Sequence, residues 1–117
     1  MGIHIKLQPQ KLIITFNGLD YLLSCKKELI LLKTNIVSIQ TINSSHLPKK
    51  EIKKIGFSAL GYKKGSFKNK NNDSIFYNIN RHSLTLQIIL KYYPYNKMIL
   101  SLSHDQCEDI LHWFNTK

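Results

Sequence analysis

Two apolar runs, Leu84-Thr-Leu-Gln-Ile-Ile-Leu-Lys91 and Asn96-Lys-Met-Ile-Leu-Ser-Leu102, flank the short aromatic segment Tyr92-Tyr-Pro-Tyr95. Ser103-His-Asp-Gln-Cys-Glu-Asp-Ile-Leu-His-Trp-Phe-Asn115 follows at once. The runs are short, bounded by turn residues and rich in Ile and Leu, which predicts two strands. In the last segment Cys107, Ile110, Leu111 and Phe114 recur at i, i+3, i+4 and i+7, which predicts an amphipathic helix over Ser103–Asn115. Ser103 and Gln106 stand at the two positions of a capping box. Asp105, Glu108 and Asp109 lie towards the positive N-terminal end of that helix. A β-rich body closed by one C-terminal helix is a mainly β (α+β) fold in which the helix covers an end that strands cannot.

Working outward, Ile3–Leu7 and Lys11–Phe16 read as strands around a turn at Pro9. Asn17-Gly18 is a turn signal. Leu19–Cys25 fits either a helical turn or the start of a strand. Leu29–Lys33 and Ile36–Ile42 are strand candidates separated by a tight turn at Thr34-Asn35. Asn43–Lys54 is polar and reads as a loop with a short helical turn. Phe57–Lys68 lies among Gly56, Gly61 and Gly65, which suggests bent, bulged strands. Lys68–Asp73 is a polar hairpin tip, and Ser74–Asn80 alternates Ile75, Tyr77 and Ile79 against Phe76, Asn78 and Asn80. Short strands at this spacing predict a barrel or sandwich of seven to eight strands.

At 117 residues the chain reads as one domain spanning 1–117. No apolar run approaches the roughly 20 residues of a membrane-spanning helix. Residues 1–16 lack the apolar stretch of a signal peptide, and Lys6 stands where a myristoylation motif requires Ser or Thr. Cys25 and Cys107 form no metal or redox spacing. Cys107 belongs to the helical stripe, as a small hydrophobe would. These features predict a cytoplasmic protein, with peripheral contact at a membrane as the variant that its charge suggests. The net charge is +10, from 16 lysines and one arginine against seven acids. Such a balance suits nucleic acid or anionic lipid. It also suits an AT-rich coding bias, given 16 Ile, 16 Lys, 10 Asn and a single Arg.

Residues 56–114 resemble the small bacterial pleckstrin-homology-like (PH-like) domains. The residues that carry the resemblance are Gly56-Phe-Ser-Ala-Leu-Gly61-Tyr-Lys-Lys-Gly65-Ser-Phe67, then Ile75-Phe-Tyr-Asn-Ile79, Leu84–Leu90, Tyr95–Leu102 and the terminal helix. Upstream, Gly18–Leu23 and Leu31–Ile42 fit the same order. The resemblance implies a strongly bent, seven-stranded antiparallel barrel or sandwich closed by the helix. It does not imply phosphoinositide binding: the first hairpin region carries Lys11, Lys26 and Lys27 without the Arg of lipid-binding relatives.

Lys49, Lys50, Lys53, Lys54, Lys63, Lys64, Lys68 and Lys70 form a lysine cluster opposed only by Glu51. Gathered on one rim, they would make an anion- or surface-binding patch beside Phe57, Tyr62 and Phe67. Spread out, they are a solvated face. Tyr92, Tyr93, Tyr95 and Trp113 are partner-interface candidates, because aromatic rings supply large contact area with few rotors. Tyr rings between Lys91 and Lys97 also suit base stacking, and packing of Tyr93 or Tyr95 on the body is the plainer alternative. His104, Glu108 and His112 share one helix face, but the two histidines stand about 12 Å apart along the axis, too far to hold one ion. No metal site is expected, and no cofactor. No nucleophile elbow, phosphate-cradling loop or carboxylate pair is present, so no catalytic residue is assigned and no enzymatic activity is expected. The resulting expectation is a non-catalytic binding module, contacting a protein partner or itself, or docking on an anionic surface. The alternative is a nucleic-acid-binding β-barrel that uses the Lys49–Lys70 cluster.

Overall fold

The computed structural model describes residues 2–18, 27–42, 52–59, 62–79 and 84–116. Among them are nine strands and one α-helix. The strands are β1 (Gly2–Gln8), β2 (Lys11–Asn17), β3 (Glu28–Leu32), β4 (Ile36–Ile42), β5 (Ile52–Ala59), β6 (Tyr62–Lys68), β7 (Ser74–Ile79), β8 (Thr85–Leu90) and β9 (Lys97–Ser101), and the helix is α1 (His104–Asn115). Two sheets form, one of order β1-β2-β3 and one of order β4-β8-β9-β7-β6-β5. The mainly β class with a single C-terminal helix is therefore present.

Alternation along the first sheet sets which side is buried. Leu12, Ile14 and Phe16 of β2 and Leu29 and Leu31 of β3 point into the main core, while Ile30 and Leu32 point out. Phe76, Leu86, Ile88, Met98 and Leu100 bring one face of the second sheet to the same core. β7 is buried on both faces: Ile75, Tyr77 and Ile79 join Phe67 and Ile99 in a second apolar cluster opposite the main core. Its nearly unbroken apolar burial follows from that position.

Helix α1 begins as its sequence dictates. The Gln106 backbone N–H donates to Ser103 Oγ at 3.1 Å, and the Ser103 N–H donates to Gln106 Oε1 at 3.1 Å. Cys107, Ile110 and Trp113 are buried in the main core, with Leu111 and Phe114 packed against it. Two side chains fasten the helix to β1: Gln106 Nε2 donates to the Ile3 carbonyl at 3.3 Å, and Trp113 Nε1 to the Gln8 carbonyl at 2.6 Å. The helix also packs against β4, so it spans from an outer strand of one sheet to an outer strand of the other.

Several expectations are corrected. The sheets stay open rather than closing into one seven-stranded barrel, and nine strands are counted among the described residues. Pairing is not antiparallel throughout, because β7 and β9 run parallel, with Tyr77 opposite Ile99. The β8–β9 hairpin inserts between β4 and β7, which places two strands of the same direction side by side. The tight turn expected at Thr34-Asn35 is present as a 3₁₀ turn, Lys33–Asn35, and it carries the chain from the first sheet to the second. Ile52–Lys54, expected in a loop, belong to β5. The Leu19–Cys25 segment and Asn43–Lys50 lie outside the described residues. Among the described residues, no helix is long and apolar enough to cross a membrane.

Candidate functional site

The four lysines of the cluster whose side chains the structure describes, Lys63, Lys64, Lys68 and Lys70, do not form one patch. On β6 Lys63 and Lys64 face opposite sides of the sheet, as consecutive strand residues must. Lys64 is only 2% exposed, and its Nζ donates to Asn78 Oδ1 at 3.0 Å. It is therefore withdrawn from any surface patch. The amide Nδ2 of Asn78 is buried without a hydrogen-bond acceptor. The Lys63 ammonium sits 3.9 Å from the Tyr77 ring centroid and 4.6 Å from that of Phe67, in contact with the second apolar cluster. Lys68 donates to Asn72 Oδ1 at 3.1 Å across the hairpin tip, and Lys70 is exposed. Lys53 and Lys54 lie on the edge strand β5, and Lys49 and Lys50 lie outside the described residues.

The aromatic candidates also separate. Tyr95 is buried: its hydroxyl shares a 2.7 Å hydrogen bond with Ser66 Oγ, and its ring packs at 5.5 Å on Phe76. Tyr93 is half-buried beside it, with ring centroids 6.4 Å apart. Burial pushes the Tyr93 hydroxyl pKa up, neighbouring Tyr95 adds to the rise, and a hydrogen bond from the Ile30 backbone opposes it. Burial likewise pushes the Cys107 thiol up. Trp113 is 9% exposed and its indole N–H is fixed on the Gln8 carbonyl, so the ring is held against the core with little of it in solvent. Of the four, Tyr92 alone stands out in solvent, at 91% exposure.

Tyr92 is held there by the corner between the sheets. Asn35 Oδ1 accepts from the Leu32 N–H at 3.1 Å, while its Nδ2 donates to the carbonyls of Lys91 at 3.2 Å and Tyr92 at 3.3 Å. The Lys91 N–H returns a 2.8 Å bond to the Asn35 carbonyl. Tyr92 has φ +55°, a left-handed conformation that costs a bulky side chain energy. The strands that lead into and out of this corner carry three further exposed apolar side chains, Ile30 and Leu32 on the outer face of β3 and Val37 at the β4 bulge, while the exposed Leu84 lies at the far end of β8.

A cleft of about 680 Å³ opens on another side, between α1, the β1–β2 turn and Lys33. Leu7, Pro9 and Trp113 give it apolar walls, and Glu108, Asp109 and His112 line it from the helix. The Lys33 ammonium lies 5.0 Å from the Trp113 ring centroid and donates to the Thr116 carbonyl. Glu108 also meets His104, with Oε1 3.1 Å from Nε2 at the helix surface. Among the described residues, no three His, Cys, Asp or Glu side chains converge as a metal site would require.

Fold and site together define a mainly β, two-sheet protein with a capped C-terminal helix, an aromatic corner and a helix-side cleft. Comparison with protein-family profiles, with curated proteins and with solved structures finds no match. Sequence reasoning singled out Tyr92 and Trp113 but missed Asn35, whose importance comes from partners 56 and 57 positions away. It also missed the cleft, which needs the β1–β2 turn and the helix side by side. The one signal that pointed there was Glu108, Asp109 and His112 clustered beside a lone tryptophan.

Proposed function

We propose that this chain is a non-catalytic binding module that docks a protein partner through the corner formed by Tyr92, Val37, Leu32 and Ile30. One observation carries the reading: a tyrosine 91% exposed, in an unfavourable backbone conformation, gripped from behind by the Asn35 amide. Exposed apolar side chains that gather in one region mark contact sites more often than isolated ones do. A ring held on rigid support loses little entropy on binding. The PH-like class remains part of this proposal, supported by the order of the elements and by the capped helix that packs into the core. The module is placed in the cytoplasm, where the buried free thiol of Cys107 stays reduced.

The test is capture from lysate on immobilised protein at moderate salt, with Tyr92→Ala and Val37→Asp as controls. Sedimentation at tens of micromolar, an order of magnitude suited to weak interfaces, reports self-association. A partner retained by the wild type and lost with both variants supports the reading. Recovery that is equal on all three sinks it. Binding that survives both substitutions but collapses with salt belongs to nucleic acid or an anionic surface instead.

A further inference from the structure

We propose that the cleft beside α1 is a binding site for a lysine or arginine side chain of a basic protein segment. Its volume of about 680 Å³ accommodates a long side chain with the adjoining backbone. The Trp113 ring is fixed by its indole N–H on Gln8, so the aromatic face is preorganised. That face already carries an ammonium, because Lys33 places its Nζ 5.0 Å from the ring centroid. Lys33 also donates to the Thr116 carbonyl, just beyond the C-terminal end of α1, where the helix dipole favours positive charge. The cleft thus displays, with one of its own residues, the chemistry it selects.

Charge decides between ligand classes. The chain has net charge +10, yet three of its seven acids lie on α1, and two of them, Glu108 and Asp109, line this cleft. The carboxylates of Glu108 and Asp109 share this lining with one ammonium, that of Lys33. An anion would have to approach Glu108 and Asp109, and a purely apolar ligand would make no use of Asp109 or of the Glu108 oxygen that His104 does not engage. An aliphatic stem ending in a cation matches the whole lining: the stem lies on Leu7 and Pro9, and the head reaches the carboxylates. This site is separate from the Tyr92 corner and does not rest on its role.

Trp113 is the single tryptophan of the chain, so intrinsic tryptophan fluorescence reads one wall of this cleft directly. The experiment titrates the full chain at low salt with a capped trilysine peptide and, in parallel, a capped triglutamate peptide. A saturable change with trilysine and none with triglutamate is expected. Long-range repulsion from a +10 protein opposes trilysine binding, so saturation reports a local site. Glu108→Gln combined with Asp109→Asn weakens the binding about tenfold, as loss of two exposed ion pairs implies. Lys33→Met, which removes the competing ammonium, tightens it severalfold. Both carboxylates are exposed, and an unchanged melting temperature confirms that the double variant is folded. No saturable response to trilysine, preferential binding of triglutamate, or a folded double variant that binds like the wild type overturns the proposal.

Discussion

The side-chain amide of Asn35 donates to the carbonyl of Tyr92 at 3.3 Å, tying the corner between the two sheets to the turn between β8 and β9. A second bond to Lys91 and an acceptance from Leu32 make this one side chain the joint of three chain segments. Asn35→Ala removes all three bonds and should cost about 1–3 kcal/mol. Asn35→Asp keeps the acceptor for Leu32 but loses both donors, and should fall between wild type and alanine. Urea unfolding of the three proteins checks the order. An alanine variant as stable as the wild type would show that the corner holds without the amide.

Helix α1 is a structural element of the core. Ile110 is fully buried, and Ile110→Ala should cost about 2–5 kcal/mol, a large part of a typical total of about 5–15 kcal/mol. Truncation after Ser103 should leave a chain that does not unfold cooperatively. A truncated protein with an unchanged thermal transition would contradict this placement.

The helix and the hairpin before it were legible because their signals are local. Capping residues, a periodic stripe, and apolar runs about a turn all lie within 32 residues, and the structure realises each one. The sheet order was not legible. A three-residue turn looks the same whether it closes a hairpin or hands the chain to another sheet, and the difference at Lys33–Asn35 lies in bonds to Gln10 and Lys91. The parallel β7–β9 pair is likewise fixed by tertiary packing. Ile75, Tyr77 and Ile79 signalled a strand, but their partner Ile99 is 20 or more residues away. The opposite fates of Lys63 and Lys64 were not legible for the same reason, since charge density in sequence does not say which face of a strand each side chain takes.

Lys64 and Lys70 should therefore respond differently to charge reversal. Lys64→Glu places a carboxylate where a 2% exposed ammonium met Asn78, and should cost more than about 2 kcal/mol. Lys70→Glu, at the exposed hairpin tip, should stay within about 0.5 kcal/mol of wild type. Equal unfolding midpoints for the two variants would refute the burial of Lys64.

Tyr93 gives a pH dependence with a definite sign. Its pKa is raised in the folded protein, chiefly by burial and then by Tyr95. Above the ordinary tyrosine value of about 10, the unfolded chain gives up this proton first and so binds fewer protons than the native state. Stability then falls as pH rises. The contribution is fully present below that value and is lost as pH climbs through the folded pKa. Tyr93→Phe should remove this part of the alkaline loss, so its urea midpoint should fall less than the wild type's between neutral pH and the tyrosine range. Parallel pH profiles for the two proteins would rule Tyr93 out as the source. Cys107, raised by burial, adds a loss of the same sign that begins at lower pH and persists in the variant.

Tyr92 separates stability from binding. At φ +55° its backbone sits where asparagine is favoured over tyrosine, and its ring, 91% exposed, contributes almost no packing. Tyr92→Asn should leave the unfolding free energy unchanged or raise it by up to about 1 kcal/mol. The Asn35 bond goes to the Tyr92 main-chain carbonyl and survives the change. If the exposed ring is the anchor of a docking surface, the same variant loses the partner, on the order of thirtyfold for about 2 kcal/mol. Stability rising while binding falls is the signature of a residue kept for function. A variant that is markedly destabilised shows instead that the ring supports the fold, and one that binds as the wild type does removes Tyr92 from the interface.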